Sequence, residues 1–421
     1  VYILVLDSRT DARKEYWLKH IQKYGGENPL VFVAINKIDE NPNYGVERKT
    51  LNTKYPFIQH RFHRISCKTG AGLTGLLTDI AETIPETELL KTPASIHWHR
   101  IKEALEATTE ANKYINQATF EAICKKNEVV KPSTQRTLLR FLNDLGIVLH
   151  FDNLKLNHFF VLDPHWVTIG VYKIINSKAI QNGILNENQL EYILNEETIK
   201  DKEYDPASAK VVRYSALEQS YLIQIMEEFE LLYPFERSKY LVPDLLPKEV
   251  EKELSIDVNG TEHIHFILEY DFLPNALVSR LIIRMKDDIH DIEQVWRTGM
   301  VLQHQQTGAG ALIRADKERK RIYICVSGAF KEKRDYFSII YHKIWQINNS
   351  FNHLMVKQLM TAPNSTHEVD YEELLALERM GKDELTIGKL RQSFSISRDF
   401  LDKVTTKAER LEVSPKHGEF G

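Results

Sequence analysis

The sequence predicts a multidomain protein of mixed α/β and α+β architecture. Part of a doubly wound parallel sheet comes first, then a winged-helix-like α+β subdomain, then an antiparallel sheet with helices. Three observations carry this reading. Apolar, β-branched runs alternate with amphipathic stretches up to about residue 84. Three helical stretches and then two short strand runs fill residues 95–165. Beyond residue 263, alternating strand runs precede a long helical stripe.

The first unit, residues 1–88, opens on a strand, Val1–Leu6, and Asp7 to Asp11 offer capping residues for a helix with Trp17, Ile21 and Tyr24 on one face. Leu30–Ile35 is a continuous apolar run, the pattern of a parallel strand buried on both faces. A short helix near Val46–Lys54 and a third strand, Arg61–Ile65, follow. Leu73, Leu76, Leu77, Ile80 and Ile84 recur at helical spacing and predict a last helix packed on the sheet. Pro85 and Pro93 then bracket a polar boundary.

Two loops of this unit carry chemistry. Asn36-Lys37-Ile38-Asp39 begins where the second strand stops, and Ser66-Cys67-Lys68 begins where the third does. Ligands of open α/β sheets bind outside the carboxyl ends of the strands, where both loops would sit. Together they look like the guanine-reading half of a GTPase. The Asp39 carboxylate can accept from both N1–H and the exocyclic amine of guanine, a pair that adenine does not offer. The Asn36 amide can serve N7 and O6, the stems of Lys37 and Lys68 can cover the ring faces, and the Cys67 N–H can reach O6. The Ser66 hydroxyl can hold the Asp39 loop.

A phosphate-binding Gly-x-x-x-x-Gly-Lys-Ser/Thr loop is not found. Thr69-Gly-Ala-Gly72 opens the last helix of the unit, and Thr307-Gly-Ala-Gly310 reads as a hairpin turn. The phosphate half of such a site is expected in a segment preceding Val1. No catalytic residue is therefore identified.

In residues 95–248, Trp98, Ile101 and Leu105 mark one helix, and Phe120, Ile123 and Cys124 a second. Ser133 caps a third, with Leu138, Leu139, Phe141 and Leu142, which ends at Asn143-Asp144-Leu145-Gly146. Strands Ile147–Phe151 and Phe159–Leu162 flank a turn near Asp152-Asn153. The third helix has only Arg136 and Arg140 as cations, too few for the several phosphate contacts that hold a DNA-binding helix, so an internal packing module is expected. Residues 195–215 read as an exposed loop, and Pro234 to Pro247 punctuate the approach to the last unit.

In residues 249–421, strands are expected at His263–Tyr270, Leu281–Met285, Gly299–Gln303, Ala311–Arg314 and Ile322–Val326. A long helix from Tyr336 to Met360 follows, with Phe337, Ile340, Ile344, Ile347, Phe351 and Leu354 on one stripe, and then a shorter one at Tyr371–Met380.

Composition sets the class. With 421 residues, 43% hydrophobic and 27% charged, the chain has the make-up of a globular protein of two or three domains. A formal charge of −4 without a basic block argues against nucleic acid as a partner. Three isolated cysteines, Cys67, Cys124 and Cys325, suit a reducing cytoplasm. No apolar run approaches the roughly 20 residues of a transmembrane helix. His263 and His265 share a strand face as metal ligands can, but no Cys or carboxylate stands at usable spacing, so no metal site is assigned. Cys67 is expected to lend its backbone N–H, not its thiol.

The order of these parts resembles the Roco family, in which a Ras-like Roc GTPase domain is fused directly to a COR domain. The resemblance rests on Asn36-Lys-Ile-Asp39, Ser66-Cys-Lys68, Phe141-Leu-Asn-Asp-Leu-Gly-Ile-Val-Leu-His-Phe151 and Val161-Leu-Asp-Pro-His-Trp-Val167. Tyr240-Leu-Val-Pro-Asp-Leu-Leu-Pro247, Phe272-Leu-Pro and Ser279-Arg-Leu281 add to it. The run Phe141–Val167 is especially similar to COR sequences, including those of the animal leucine-rich-repeat kinases. The resemblance implies the C-terminal half of Roc at 1–88, the COR N-terminal subdomain at 95–248 and a dimerising C-terminal subdomain at 249–421. It also implies GTP or GDP with Mg²⁺, hydrolysis in the intact protein, a homodimer whose conformation follows the nucleotide, and a role in signalling. With no kinase motif, it points to a bacterial-type member with leucine-rich repeats upstream. A non-catalytic dimerisation scaffold biased by nucleotide is the competing expectation.

Overall fold

A computed structural model describes residues 1–8, 14–24, 29–86, 95–109, 112–150, 159–197, 212–250, 252–256, 260, 262–351 and 354–412. In the first unit β1 (Tyr2–Asp7), β2 (Val31–Asn36) and β3 (Phe62–Arg64) pair in parallel in that order. β2 lies in the middle, and its alternating side chains feed two cores. Val33 and Ile35 pack with Leu4, Leu6, Leu18, Leu51 and Tyr55; Phe32 and Ala34 pack with Ile65 and Leu76. Helix α1 (Lys14–Tyr24) and α2 (Arg48–Lys54) thus supply one face, and α3 (Leu73–Thr83) the other.

Two side chains depart from the expected stripes. Trp17 is 47% exposed while Leu18 is fully buried, so the buried seam of α1 runs through Leu18 and Ile21. Leu77 is 63% exposed, and Leu76 alone of that pair meets the sheet. The capping segment expected after Ser8 lies outside the described residues. Ile3 and Val5 on β1, and Val1 just before it, are exposed.

The second unit holds α4 (Ile96–Thr109), β4 (Tyr114–Asn116), α5 (Gln117–Lys126), α6 (Pro132–Asp144), β5 (Leu149–His150) and β6 (Phe159–Val161), with strand order β4-β6-β5. Ile101, Leu105, Phe120, Cys124, Leu138, Leu142 and Phe160 form its core. Helix α6 is capped by Lys131 with Pro132 in the first turn, so Ser133 lies inside the helix and does not cap it. The turn at Asp152-Asn153 and most of 195–215 fall outside the described residues. Tyr214, at the end of that stretch, is buried and donates to the Trp166 carbonyl at 2.7 Å, against an expectation of exposure. Helices α7 (Pro164–Asn176) and α8 (Ala216–Glu228) then pack beside a small sheet of β7 (Ile184–Asn186), β8 (Tyr233–Glu236) and β9 (Lys239–Leu241), ordered β7-β9-β8.

The third unit is built on a seven-stranded sheet, ordered β11-β12-β13-β14-β10-β15-β16. The strands are β10 (Ile264–Tyr270), β11 (Val295–Trp296), β12 (Gly299–Gln303), β13 (Gly310–Asp316), β14 (Arg321–Ser327), β15 (Val356–Thr361) and β16 (Glu368–Asp370). Residues 281–285, expected as a strand, instead close α9 (Ala276–Arg284). Leu277, Val278, Leu281 and Ile282 are buried at helical, not alternating, spacing. The long helix runs as α10 (Phe330–Asn348), earlier than expected. Its stripe of Phe337, Ile340, Ile344 and Ile347 is buried, but Asn348, Asn349 and Ser350 stop it. Leu354 lies beyond it, and Val356–Thr361 becomes β15 against β10. Helix α11 (Tyr371–Arg379) matches the expected shorter one, and residues 304–309, with Gly308 at φ 72°, form the β12–β13 turn, while Gly310 opens β13. A final hairpin, β17 (Glu384–Ile387) and β18 (Gln392–Ser395), follows.

The first and third units touch. From α1, the Lys19 ammonium donates to the Asp271 carbonyl at 3.5 Å, and the His20 ring meets Phe272 edge-on, centroids 6.0 Å apart. Asp271 and Phe272 directly follow β10, so a helix of the parallel sheet rests on the loop leaving the antiparallel one. No helix among the described residues is long and apolar enough to cross a membrane.

Candidate nucleotide-base site

The carboxyl ends of β2 and β3 bring Asn36, Lys37 and Asp39 beside Ser66, Cys67 and Lys68. The β3 backbone is held to β2 by the Ile65 N–H donating to Ile35 O at 2.8 Å, and Ile38 N–H reaches back to Ile65 O at 3.4 Å. The two loops are then joined by one side chain. The Asn36 carbonyl oxygen Oδ1 accepts from the Lys37 N–H at 2.8 Å and from the Cys67 N–H at 3.0 Å. The Cys67 N–H is therefore engaged by Asn36 and does not point free toward a base oxygen, a correction to the role expected for it. The amide NH₂ of Asn36 remains as a donor for a ligand.

Lys37 sits at φ 64°, a left-handed conformation that costs a non-glycine residue about 1 kcal/mol or more. Contacts from β1 hold it there. The Ser8 hydroxyl donates to Lys37 O at 2.9 Å, and the Lys37 ammonium pairs with Asp7 at 2.8 Å. The Asn41 amide donates to Ser8 O at 2.8 Å and closes the loop from the far side. From the sequence, Asp7 and Ser8 were read only as capping residues, and Asn41 was not singled out. The polar Asp7-Ser8 pair ending an apolar strand was the available signal.

Ser66 is fully buried, whereas Asp39, Cys67 and Lys68 are exposed. The Ser66 side chain, through its hydrogen bond to Asp39, is the largest cause holding that carboxylate below its ordinary range; burial opposes it, and a backbone hydrogen bond, Lys68 and Lys37 add to it. The site thus presents an ionised acceptor beside an amide donor, with two lysines flanking them. The Ser66 loop turns tightly: Ser66 N–H bonds Ala71 O at 2.9 Å and Gly70 N–H bonds Ser66 O at 2.9 Å. At Gly72, φ 75°, a Cβ would stand 2.0 Å from Arg64 O, so only glycine fits where α3 begins.

One reading of the histidines changes. His265 stands opposite Cys325 in the β10–β14 register, so the strand pair supplies a thiol that chain spacing had concealed.

Residues 95–246 match the family model described as "C-terminal of Roc, COR-A domain", and residues 261–399 match "C-terminal of Roc, COR-B domain". A Roc-COR-CHAT protease of an unknown prokaryotic organism is 24% identical over 90% of this chain and 34% of its own. A second Roc-COR-CHAT protease, from Runella zeae, is 25% identical over 82% of this chain and 35% of its own. Among solved structures, Roco2 RocCORdC of Methanosarcina barkeri bound to GDP is 38% identical, covering 58% of this chain and 72% of that one, with a TM-score of 0.46. The chain spans about a third of the length of those two curated relatives. With both COR models matched in order, together over more than half of the chain, the chain belongs to the Roco family of Roc–COR proteins.

Proposed function

We propose that residues 1–88 are the C-terminal half of a Roc domain and that Asn36, Lys37, Asp39, Ser66, Cys67 and Lys68 form its guanine-base site, with Asn36, Lys37, Asp39 and Lys68 meeting the base and Ser66 and the Cys67 N–H holding the two loops in place. The intact protein then binds GTP and GDP and hydrolyses GTP. Its phosphate-loop donors, Mg²⁺ and positioned water come from a segment other than these residues. The carrying observation is the bond from Cys67 N–H to Asn36 Oδ1, which fixes the two loops as one surface, with Asp39 kept ionised beside it. The solved Roco relative is described as bound to GDP, which supports the same ligand here.

In this reading residues 249–421 form the homodimer, and nucleotide state reaches it through the contact of α1 with Asp271 and Phe272. Light scattering on the intact protein reads the dimer directly, and a monomer at micromolar concentration overturns it. The base assignment has a sharper test. Asp39→Asn removes the acceptor for the guanine amine, and xanthine carries an oxygen in that place. A site built on such hydrogen bonds penalises a mismatch by on the order of 10²-fold or more. Competition binding on the intact protein should show the variant exchanging GTP preference for xanthosine triphosphate; unchanged GTP affinity sinks the assignment.

A further inference from the structure

The sheet of the third unit carries chemistry that the base site does not use. His263, His265 and Cys325 each place one ligand atom within 4.8 Å of the others. A residue directly opposite another on an antiparallel neighbour shares its face at about 5 Å, and His265 pairs with Cys325 in register. His263 stands in the bend that leads into β10, two residues before His265.

Four further facts favour a ligand over idle packing. His263 Nδ1 is buried without a hydrogen-bond partner, a state that is costly for a polar atom. The Nε2 of His265 faces the Gly260 carbonyl at 3.4 Å. A ring nitrogen against a carbonyl must carry the proton, so Nδ1 of His265 keeps its lone pair, the arrangement by which a backbone oxygen orients a metal-bound imidazole. Gly260 also lets the His263 ring lie flush on the backbone: a Cβ there would stand 2.4 Å from the ring. Cys325 is 7% exposed and both histidines are half-buried, so the cluster is shielded yet open to a small ion.

We infer that His263, His265 and Cys325 form a mononuclear zinc site with a fourth position open to solvent. Two imidazoles and a thiolate are the donor set zinc takes, and tetrahedral coordination places such donors about 3.3–3.8 Å apart. The three ligand atoms already lie within 4.8 Å of one another. Binding releases the thiol proton and leaves the metal oxidation state unchanged. The ion would tie the start of β10, where the connection from the COR-A match enters, to β14.

The test uses the full chain, tag-free, reduced and stripped with a chelator. Titration calorimetry with Zn²⁺ should give one equivalent. Cys325→Ser and His265→Ala should each weaken binding by at least on the order of 100-fold, given that even outer partners of a metal site cost 10–100-fold. Cys67→Ser should leave it unaltered. Co²⁺ should give a thiolate charge-transfer band and intense tetrahedral visible bands that Cys325→Ser abolishes. His263→Gln, checked for native circular dichroism, covers the case of a misfolded variant. No uptake by the wild-type chain, uptake retained by folded His263→Gln and Cys325→Ser, or a cobalt spectrum without the thiolate band each overturns the site.

Discussion

Asn36 offers the cleanest separation of architecture from recognition in the base site. Its Oδ1 accepts two backbone N–H groups, at 2.8 and 3.0 Å, while its NH₂ remains to donate to a ligand. Asn36→Ala removes both acceptances. A typical hydrogen bond contributes about 1 kcal/mol net, so the local loss is about 2 kcal/mol; Cys67 is exposed, and water partly re-satisfies its N–H, which keeps the figure from rising further. At 1.4 kcal/mol per decade, that loss speeds amide exchange at Lys37 and Cys67 about thirtyfold. Asn36→Asp keeps an oxygen for both N–H groups but loses the amide donor. Exchange there should stay within about threefold of wild type, while guanine-nucleotide affinity falls in the intact protein. Exchange mass spectrometry at peptide level, on both variants, supplies the comparison. If Asn36→Ala leaves the 66–70 amides at wild-type rates, the side chain does not join the loops and the argument fails.

Two further outcomes follow from geometry. Gly72→Ala drives a Cβ into Arg64 O and should cost more than Gly70→Ala, where φ is 80° but nothing lies within 4 Å, so that only the left-handed cost of about 1 kcal/mol applies; thermal melts of the two variants compare them. Glu378 is held below its ordinary range chiefly by Arg410, burial opposing and Ser397 assisting. A depressed carboxylate lends stability that is fully present above its unfolded value, about 4.3, and is lost as pH falls through the folded one. Denaturant midpoints measured downward from pH 6 should therefore fall more steeply below that value for wild type than for Glu378→Gln.

Much of the first unit was legible because its signals are local. Leu30–Ile35 is apolar without interruption, and the polar motif begins at the residue where the strand ends. Which side chains tie the loops together was not legible: Asp7, Ser8 and Asn41 act across strands, and nothing in their own neighbourhoods says so. Leu281–Met285 misled because a short apolar run fits a strand as well as a helix, and the deciding partners, Leu277 and Val278, lie upstream. The stripe of α10 runs on to Phe351, which is buried, and Leu354, but residues past the stop at Asn348–Ser350 owe their burial to tertiary packing. Cys325 was missed for a related reason. It lies 60 residues beyond His265, and only antiparallel register makes them neighbours.

The small contact between α1 and the loop after β10 has a thermodynamic consequence. A free energy exchanged between two sites has one value whichever site is filled first. If nucleotide shifts α1 and thereby alters self-association by some factor, self-association must alter nucleotide affinity by that same factor. On the proposed function, protein concentration would then act as an effector: a crowded population of the intact protein and a dilute one would hold GDP with different strengths, and substitutions at Lys19 and His20 would erase that difference.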